Sequence, residues 1–387
     1  MKKSLSRILS ALVASALALP GVAGAAPVKI GFINTITGAE APIGETMTNG
    51  LDLALDDLKK QGIDVQVIRQ DDTGKPDKAI SAIEQLATGD EVTAIVGPYT
   101  SACANAVAKQ AEQYGVSQVI PAASKEDITR QGYKWVFRVN APAHVYAKSL
   151  IDAALAFGKP RTVAFIYEST DFGSSLSKVG KEYAVSKGLK VVAEEAYQKG
   201  SPDYRSTLAK VKAQNPDLVF MVSYVADAIL LMRQSRELGL KPQAFLGGGA
   251  GFDTSQFEGE RDISTNVFSV TQWTPDSSPA AAAFAARYQA RYGKRPTYHA
   301  ACTYTSMMVV GAAVAKGGAD RAKVREALAT GSWQTIMGEV KFATYEGFNN
   351  QNHNAMPVVQ YLAGKSVTVY PPAVAKAKAV YPFPGWK

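Results

Sequence analysis

Past residue 27 the chain alternates short runs of aliphatic and β-branched residues with longer stretches whose apolar positions fall three and four apart. Val28–Ile33, Val65–Gln70, Thr93–Gly97 and Gln118–Pro121 are the predicted strands of a first series. Between them Leu51, Leu55 and Leu58, then Ile80, Ile83 and Leu86, mark helices with one buried face. A second series begins near residue 143. It alternates strands at Val163–Tyr167, Val191–Ala196, Leu218–Val222 and Ala244–Leu246 with helices such as Ser206–Lys212 and Asp227–Leu238. Strand–helix–strand alternation makes consecutive strands parallel and covers both faces of the sheet. Two such series predict two doubly wound α/β lobes. Beyond them, Pro279–Tyr292, Ala300–Lys316 and Arg321–Thr330 read as helices, and Trp333–Phe342 and Val358–Tyr370 as β structure. The Pro-rich tail from Pro371 to Lys387 is expected to lie over the surface.

The first residues follow a different pattern. Lys2, Lys3 and Arg7 precede an apolar run from Ile8 to Leu19, then Pro20 and Ala23-Gly24-Ala25. That order describes a secretory signal peptide cut near Ala25. The apolar run is shorter than the roughly 20 residues that span a bilayer. No cysteine stands at the cleavage point, so a free soluble periplasmic protein is expected rather than a lipid-anchored one. Removing three positive charges takes the formal net charge from +8 to +5. Acids and bases are interspersed, without the clustered basic face that nucleic-acid binding needs. The remaining roughly 360 residues exceed what one core usually supports, which again implies two domains. Cys103 and Cys302 are the only cysteines. In an oxidising compartment they can pair or stay buried as free thiols.

Candidate chemistry sits in the turns after strands, because open α/β sheets bind ligands beyond the carboxyl ends of their strands. Gly97-Pro98-Tyr99-Thr100-Ser101 leads from a strand into a helix, with Thr100 or Ser101 at the N-cap. A helix start offers free N–H groups and attracts anions. One strand–helix unit later comes Ala122-Ala123-Ser124-Lys125-Glu126-Asp127, where Ser124 and Asp127 have capping-box spacing. Two hydroxyl-bearing turns converging on one carboxylate is the expectation these segments raise. Gly247-Gly248-Gly249-Ala250-Gly251-Phe252 lacks the spacing of a dinucleotide fingerprint. It reads as a flexible loop or as a close backbone approach to ligand. Tyr167, Phe172, Tyr224 and Phe252 are aromatics near second-lobe strand ends that can cover an apolar ligand body.

Enzyme chemistry finds little footing. His144, His299 and His353 are far apart and show no metal spacing. Neither a nucleophile elbow nor a Walker loop occurs. Asp71-Asp72 reads as a solvated strand end, and no cofactor is expected.

Several segments together resemble the branched-chain amino acid-binding proteins of ABC transporters. They are the Lys29–Ile33 strand, Thr37-Gly38, Gly44 with Asn49-Gly50, Asp71-Asp72-Thr73, Ile95-Val96-Gly97-Pro98, Ile120-Pro121-Ala122-Ala123-Ser124 and Thr129–Tyr133 with Phe137-Arg138. Asp171-Phe172-Gly173, Asp217–Ser223 and Met232–Ser235 follow in order. The resemblance implies a type I periplasmic binding protein fold, with two lobes joined by three hinge crossovers and ligand trapped by closure. Lobe one would comprise 26–141 and 274–350, lobe two 142–273 and 351–387, after a signal peptide at 1–25. The implied ligand residues are Ser101, Ala122, Ala123 and Ser124 on the carboxylate, Phe172 and Tyr224 from lobe two, and Ile43 with Tyr99 beside the side-chain pocket. The implied partners are a small carboxylate and an inner-membrane ABC permease, with the binding protein a monomer. Amino acid binders of this family hold the ligand ammonium with an acidic residue where Gly249 stands here. Either Asp171, Asp227 or Asp253 replaces it, or the ligand has no ammonium, as an aromatic or other organic acid would not. The family's N-terminal disulfide is also absent, since Gly74 stands at the cysteine position; Cys103 and Cys302 would offer a different bridge within lobe one. A ligand sensor serving a membrane receptor, or a periplasmic hydrolase, are the competing readings.

Overall fold

The computed structural model describes residues 27–386. In lobe one, β1 (Val28–Asn34), β2 (Val65–Asp71), β3 (Ala94–Val96), β4 (Ser117–Ile120) and β5 (Val136–Arg138) are parallel, each reached through a helical crossover or loop. Lobe two holds β6 (Thr162–Glu168), β7 (Lys190–Tyr197), β8 (Leu218–Val222), β9 (Ala244–Gly247) and β10 (Phe268–Val270), also parallel. The chain then returns to lobe one with β11 (Ser332–Thr335), β12 (Gly338–Tyr345) and β13 (Phe348–Asn352), and ends in lobe two with β14 (Val358–Leu362) and β15 (Lys365–Tyr370). The sheet orders are β11-β12-β13-β5-β4-β3-β1-β2 and β15-β14-β10-β9-β8-β6-β7. The central strands β3, β4, β8 and β9 are buried along their whole length, as strands covered on both faces must be.

Three crossings join the lobes, after β5, after β10 and after β13. They lie side by side and are tied by side-chain amides. Gln272 accepts from Ala141 N–H (2.9 Å), Gln351 donates to Asn140 C=O (2.7 Å), and Asn352 donates to Val139 C=O (3.1 Å). Few backbone bonds link the crossings directly, so bending here costs little sheet pairing; Thr271 N–H to Pro357 C=O is one such link.

Strand and helix positions follow the sequence reading to within a few residues, with one open alternative resolved and two differences. Cys103 and Cys302 are both free and buried. They sit in separate apolar clusters, Cys103 with Ile33 and Val107, Cys302 with Trp273 and Phe284, so of the two states the sequence leaves open, bridged or free, the structure shows free thiols. The turn after β4 does not open an α-helix. Only a single 3-10 turn, Glu126–Thr129, follows, because the carbonyls a helix would need are already taken by Arg138 and Ala143. The tail is more than a surface cover: Phe383 is buried and Trp386 packs tilted against Phe245 in lobe two. The signal peptide expected at 1–25 lies outside the described residues.

Candidate functional site in the cleft between the lobes

The site begins with the turn after β3. Gly97 has φ +112°, and a Cβ there would lie 2.0 Å from Ile33 C=O, so only glycine lets this turn press against β1. The turn feeds the helix Ser101–Tyr114. Thr100 is its N-cap, accepting from Cys103 N–H at 3.3 Å, which frees the Ser101 hydroxyl. Ser101 Oγ instead accepts from Lys125 N–H at 3.2 Å. The two turns predicted to converge are therefore joined by a hydrogen bond. Ala122, Ala123 and Ser124 are all buried, and among the described residues none of their three amides has an acceptor. Ser124 Oγ is likewise buried and unpartnered. Buried amides and hydroxyls left unpaired are costly, so such a row calls for an acceptor.

Beside this turn is a small cavity between the lobes, with about 10 Å³ of free space. Tyr99, Ser101, Ala122 and Tyr298 line it from lobe one, and Tyr146, Phe172, Tyr224 and Ala250 from lobe two. Five of these stand at or near the starts of long helices: Ser101–Tyr114, Ala143–Phe157, Asp171–Ser186, Val225–Glu237 and Tyr298–Gly317. Helix N-termini carry partial positive charge, so their convergence favours an anion. The rings meet in tilted and edge-to-face contacts, Tyr99–Tyr224 at 5.9 Å and Phe172–Tyr224 at 5.3 Å. Tyr298 takes Ala250 N–H at 3.1 Å, and Tyr146 takes Gln272 at 2.7 Å. The Tyr99 hydroxyl is buried without a partner. His299 packs against Tyr99 and Tyr298, and burial drives its imidazole down to about 3, so it is neutral. No carboxylate and no cation is among the residues lining the cavity.

Charges gather at the rim instead, bridging the lobes. Lys125 pairs with Asp171 at 2.9 Å, and Glu126 N–H donates to Ser175 Oγ at 2.9 Å. Lys199 pairs with buried Glu40 at 2.7 Å and lies 4.4 Å over the Tyr224 ring. Burial raises the Glu40 carboxyl, with Lys199 opposing that shift. Arg295 reaches Glu258 and, at 3.9 Å, Asp253.

A model of the periplasmic binding protein family matches residues 27–365. The chain belongs to that family. A Leu/Ile/Val-binding protein homologue of Brucella abortus is 31% identical over 381 residues, covering 92% of this chain and 93% of that one. The fold superposes on the branched-chain amino acid binding protein LivJ of Streptococcus pneumoniae in complex with isoleucine, with TM-score 0.81 and 23% identity, over 89% of this chain and all of the other. It superposes equally, TM-score 0.81 and 21% identity over 93% and 100%, on a solute-binding protein of R. palustris in complex with benzoate. Proteins of this periplasmic family bind small molecules and work with ABC transporter permeases; these relatives are binding proteins of transporters rather than enzymes. Among the described residues no helix is long and apolar enough to cross a membrane.

Of the residues singled out in sequence, Tyr99, Ser101, Ala122, Phe172 and Tyr224 line this binding protein's cavity. Ala123 and Ser124 continue the same turn behind Ala122. Ile43 is buried in the lobe-one core and is not on the cavity wall. Gly249 is also off the wall: it has φ +77°, and a Cβ there would meet the Tyr146 ring at 2.9 Å. Its neighbour Ala250 lines the cavity in its place. None of the three aspartates that might replace an ammonium acceptor reaches the cavity. Asp171 holds Lys125, Asp227 accepts from Gly200 N–H, and Asp253 faces Arg295. Tyr167 turns outward to Glu194, and Phe252 packs on Phe257 in the lobe-two core. The Asp71-Asp72 pair is no open strand end, since both carboxylates cap backbone N–H groups of their own turns. Tyr146, Ala250 and Tyr298 were not anticipated. Tyr298 had a readable signal, an aromatic following Pro296-Thr297 at the start of a helix.

Proposed function

We propose that this chain is the periplasmic solute-binding protein of an ABC importer, capturing a small organic acid, aromatic in preference to an amino acid. One observation carries the reading. The cavity offers unpaired amides, hydroxyls and helix starts to an anion, aromatic walls to its body, and no carboxylate to an ammonium. An ammonium taken from water without a carboxylate partner pays several kcal/mol, on the order of a lost buried ion pair. The benzoate-bound neighbour of the same fold supports the choice, and the isoleucine-bound one defines the alternative.

In this reading the carboxylate docks on the 122–124 amides and on Ser101 and Ser124. Phe172, Tyr146 and Tyr224 of lobe two then close over the ring by bending at the three crossings. Closure brings Lys125 to Asp171 and Lys199 to Glu40, sealing out water, and presents one rigid shape to the permease. The protein acts as a monomer, released into the periplasm after loss of residues 1–25. A thermal-shift screen of amino acids against aromatic and aliphatic acids tests the ligand class, since a ligand that binds only the folded state raises its melting temperature. Benzoate-like acids are expected to raise it and leucine and valine to leave it unchanged. A dominant leucine shift refutes the class.

A further inference from the structure

Arg138, at the end of β5, is completely buried and bonds to no carboxylate among the described residues. Its Nε donates to Gln351 Oε1 at 2.6 Å, one Nη to Thr129 Oγ1 at 2.7 Å, and the other to the carbonyls of Lys125 at 2.7 Å and Ala123 at 3.4 Å. Burial lowers its pKa to about 10, so it remains a cation at neutral pH. Glu126 is the acid that acts on it electrostatically, but that carboxylate is engaged by His144 at 2.8 Å and by Arg130 at 3.4 Å. A buried charge with only neutral partners is expensive to hold. The expense has a direction here. The bonds of Ala123 and Lys125 to their successors are trans peptides, in which C=O and N–H point opposite ways. Carbonyls drawn onto Arg138 therefore turn the N–H groups of Ser124 and Glu126 to the other side of the turn. The Glu126 N–H confirms that direction by reaching Ser175 of lobe two. The Ser124 N–H is one of the three amides without an acceptor.

We propose that Arg138 is the positioning residue of the anion site, its charge serving as the counter-ion of the bound carboxylate through the intervening peptide groups. The guanidinium aligns and polarises both peptides from behind; the ligand accepts from the Ser124 N–H in front, while the Glu126 N–H holds lobe two through Ser175. This explains how a cavity without a lining cation can select an anion. It rests on the carboxylate-binding reading above and adds the source of the selectivity.

Gln351→Glu tests it, because a carboxylate in that place keeps the bond to Arg138 Nε while neutralising its charge; it also gives up the donor to Asn140 C=O at the crossing, so the ratio of two ligands is read rather than one affinity. Benzoate and its uncharged analogue benzamide are titrated by calorimetry, with melting temperature recorded in parallel. The expected result is a benzoate Kd raised roughly tenfold or more, a collapsed benzoate-to-benzamide preference, and no loss of melting temperature beyond a few degrees. A merely structural brace predicts that benzoate and benzamide affinities fall together, leaving the preference for benzoate undiminished. If Gln351→Glu does not fold, Arg138→Lys and Arg138→Gln carry the test, lysine keeping the preference and glutamine losing it. An unchanged benzoate-to-benzamide ratio in folded Gln351→Glu or Arg138→Gln overturns the proposal. Failure of the wild-type protein to bind benzoate at all overturns the ligand reading instead.

Discussion

The inside and the rim of the cleft are built on opposite principles. Inside, eight residues contribute five aromatic rings, one serine and two alanines, with no ionised side chain. At the rim, Lys125, Asp171, Lys199, Glu40, Arg295 and Glu258 pair across the lobes. Polarity inside comes from backbone amides and hydroxyls fixed by the fold, which cannot move to satisfy a misfit ligand. Polarity at the rim comes from long side chains that can find water when the lobes part. The difference teaches a division of labour: the interior decides what is held, and the rim decides how long the lobes stay shut.

That division can be broken at either end. Ser101→Ala combined with Ser124→Ala removes two hydroxyls from the anion site. Hydrogen bonds to a charged group contribute about 1.5–3 kcal/mol each, so affinity for the acid ligand should fall by roughly a hundredfold or more by calorimetric titration. Circular dichroism should remain that of the wild type, as neither hydroxyl is a helix cap. An unchanged affinity removes both residues from the site.

The uncharged interior also predicts a pH response. His299 is held neutral down to about 3 by burial, against its usual 6.5. The unfolded chain therefore binds a proton that the folded one refuses, and stability is lost as pH falls from 6.5 towards 3. Relative to His299→Gln, the wild type should lose about 2 kcal/mol between pH 7 and pH 5, read as a steeper fall in melting temperature. Parallel curves would show that the interior tolerates the charge.

Rim changes should be smaller. Lys199→Met strands the buried Glu40 and removes a cation from the Tyr224 ring. Glu40 is buried while Lys199 keeps partial contact with solvent, so roughly 1 kcal/mol, or about fivefold, is expected, appearing in the dissociation rate measured by stopped flow. Lys125→Ala disturbs a more exposed pair and should change affinity by about 0.5 kcal/mol or less, vanishing at high salt. A larger effect of Lys125→Ala than of the double serine change would invert the assignment of interior and rim.

Much of this arrangement was legible in the sequence because the doubly wound pattern places chemistry in the turns after strands. Ser101 after β3, Phe172 after β6 and Tyr224 after β8 lie where that rule points and line the cavity, as do Tyr99 and Ala122, which the family resemblance implies; Tyr167 and Phe252, also near strand ends, do not. What the rule could not reach was contact between distant segments. Tyr298 joins the wall only because the chain re-enters lobe one after β10, and Lys199 meets Glu40 only when the lobes face each other. The helix expected after Ser124 failed for a related reason: Arg138, on the next strand, claims the carbonyls that would have propagated it. Gly249 misled in a different way. Its position aligns with an ammonium-binding acid, but its positive φ and the adjacent Tyr146 ring set it behind the wall, and Ala250 takes the exposed place.

The most direct test of the central claim, an anion site with no carboxylate for an ammonium, is calorimetric titration of the purified protein with benzoate and, separately, with leucine. Saturable binding of benzoate with no measurable heat of binding for leucine is the expected outcome. Leucine binding as tightly as benzoate, or more so, would contradict it.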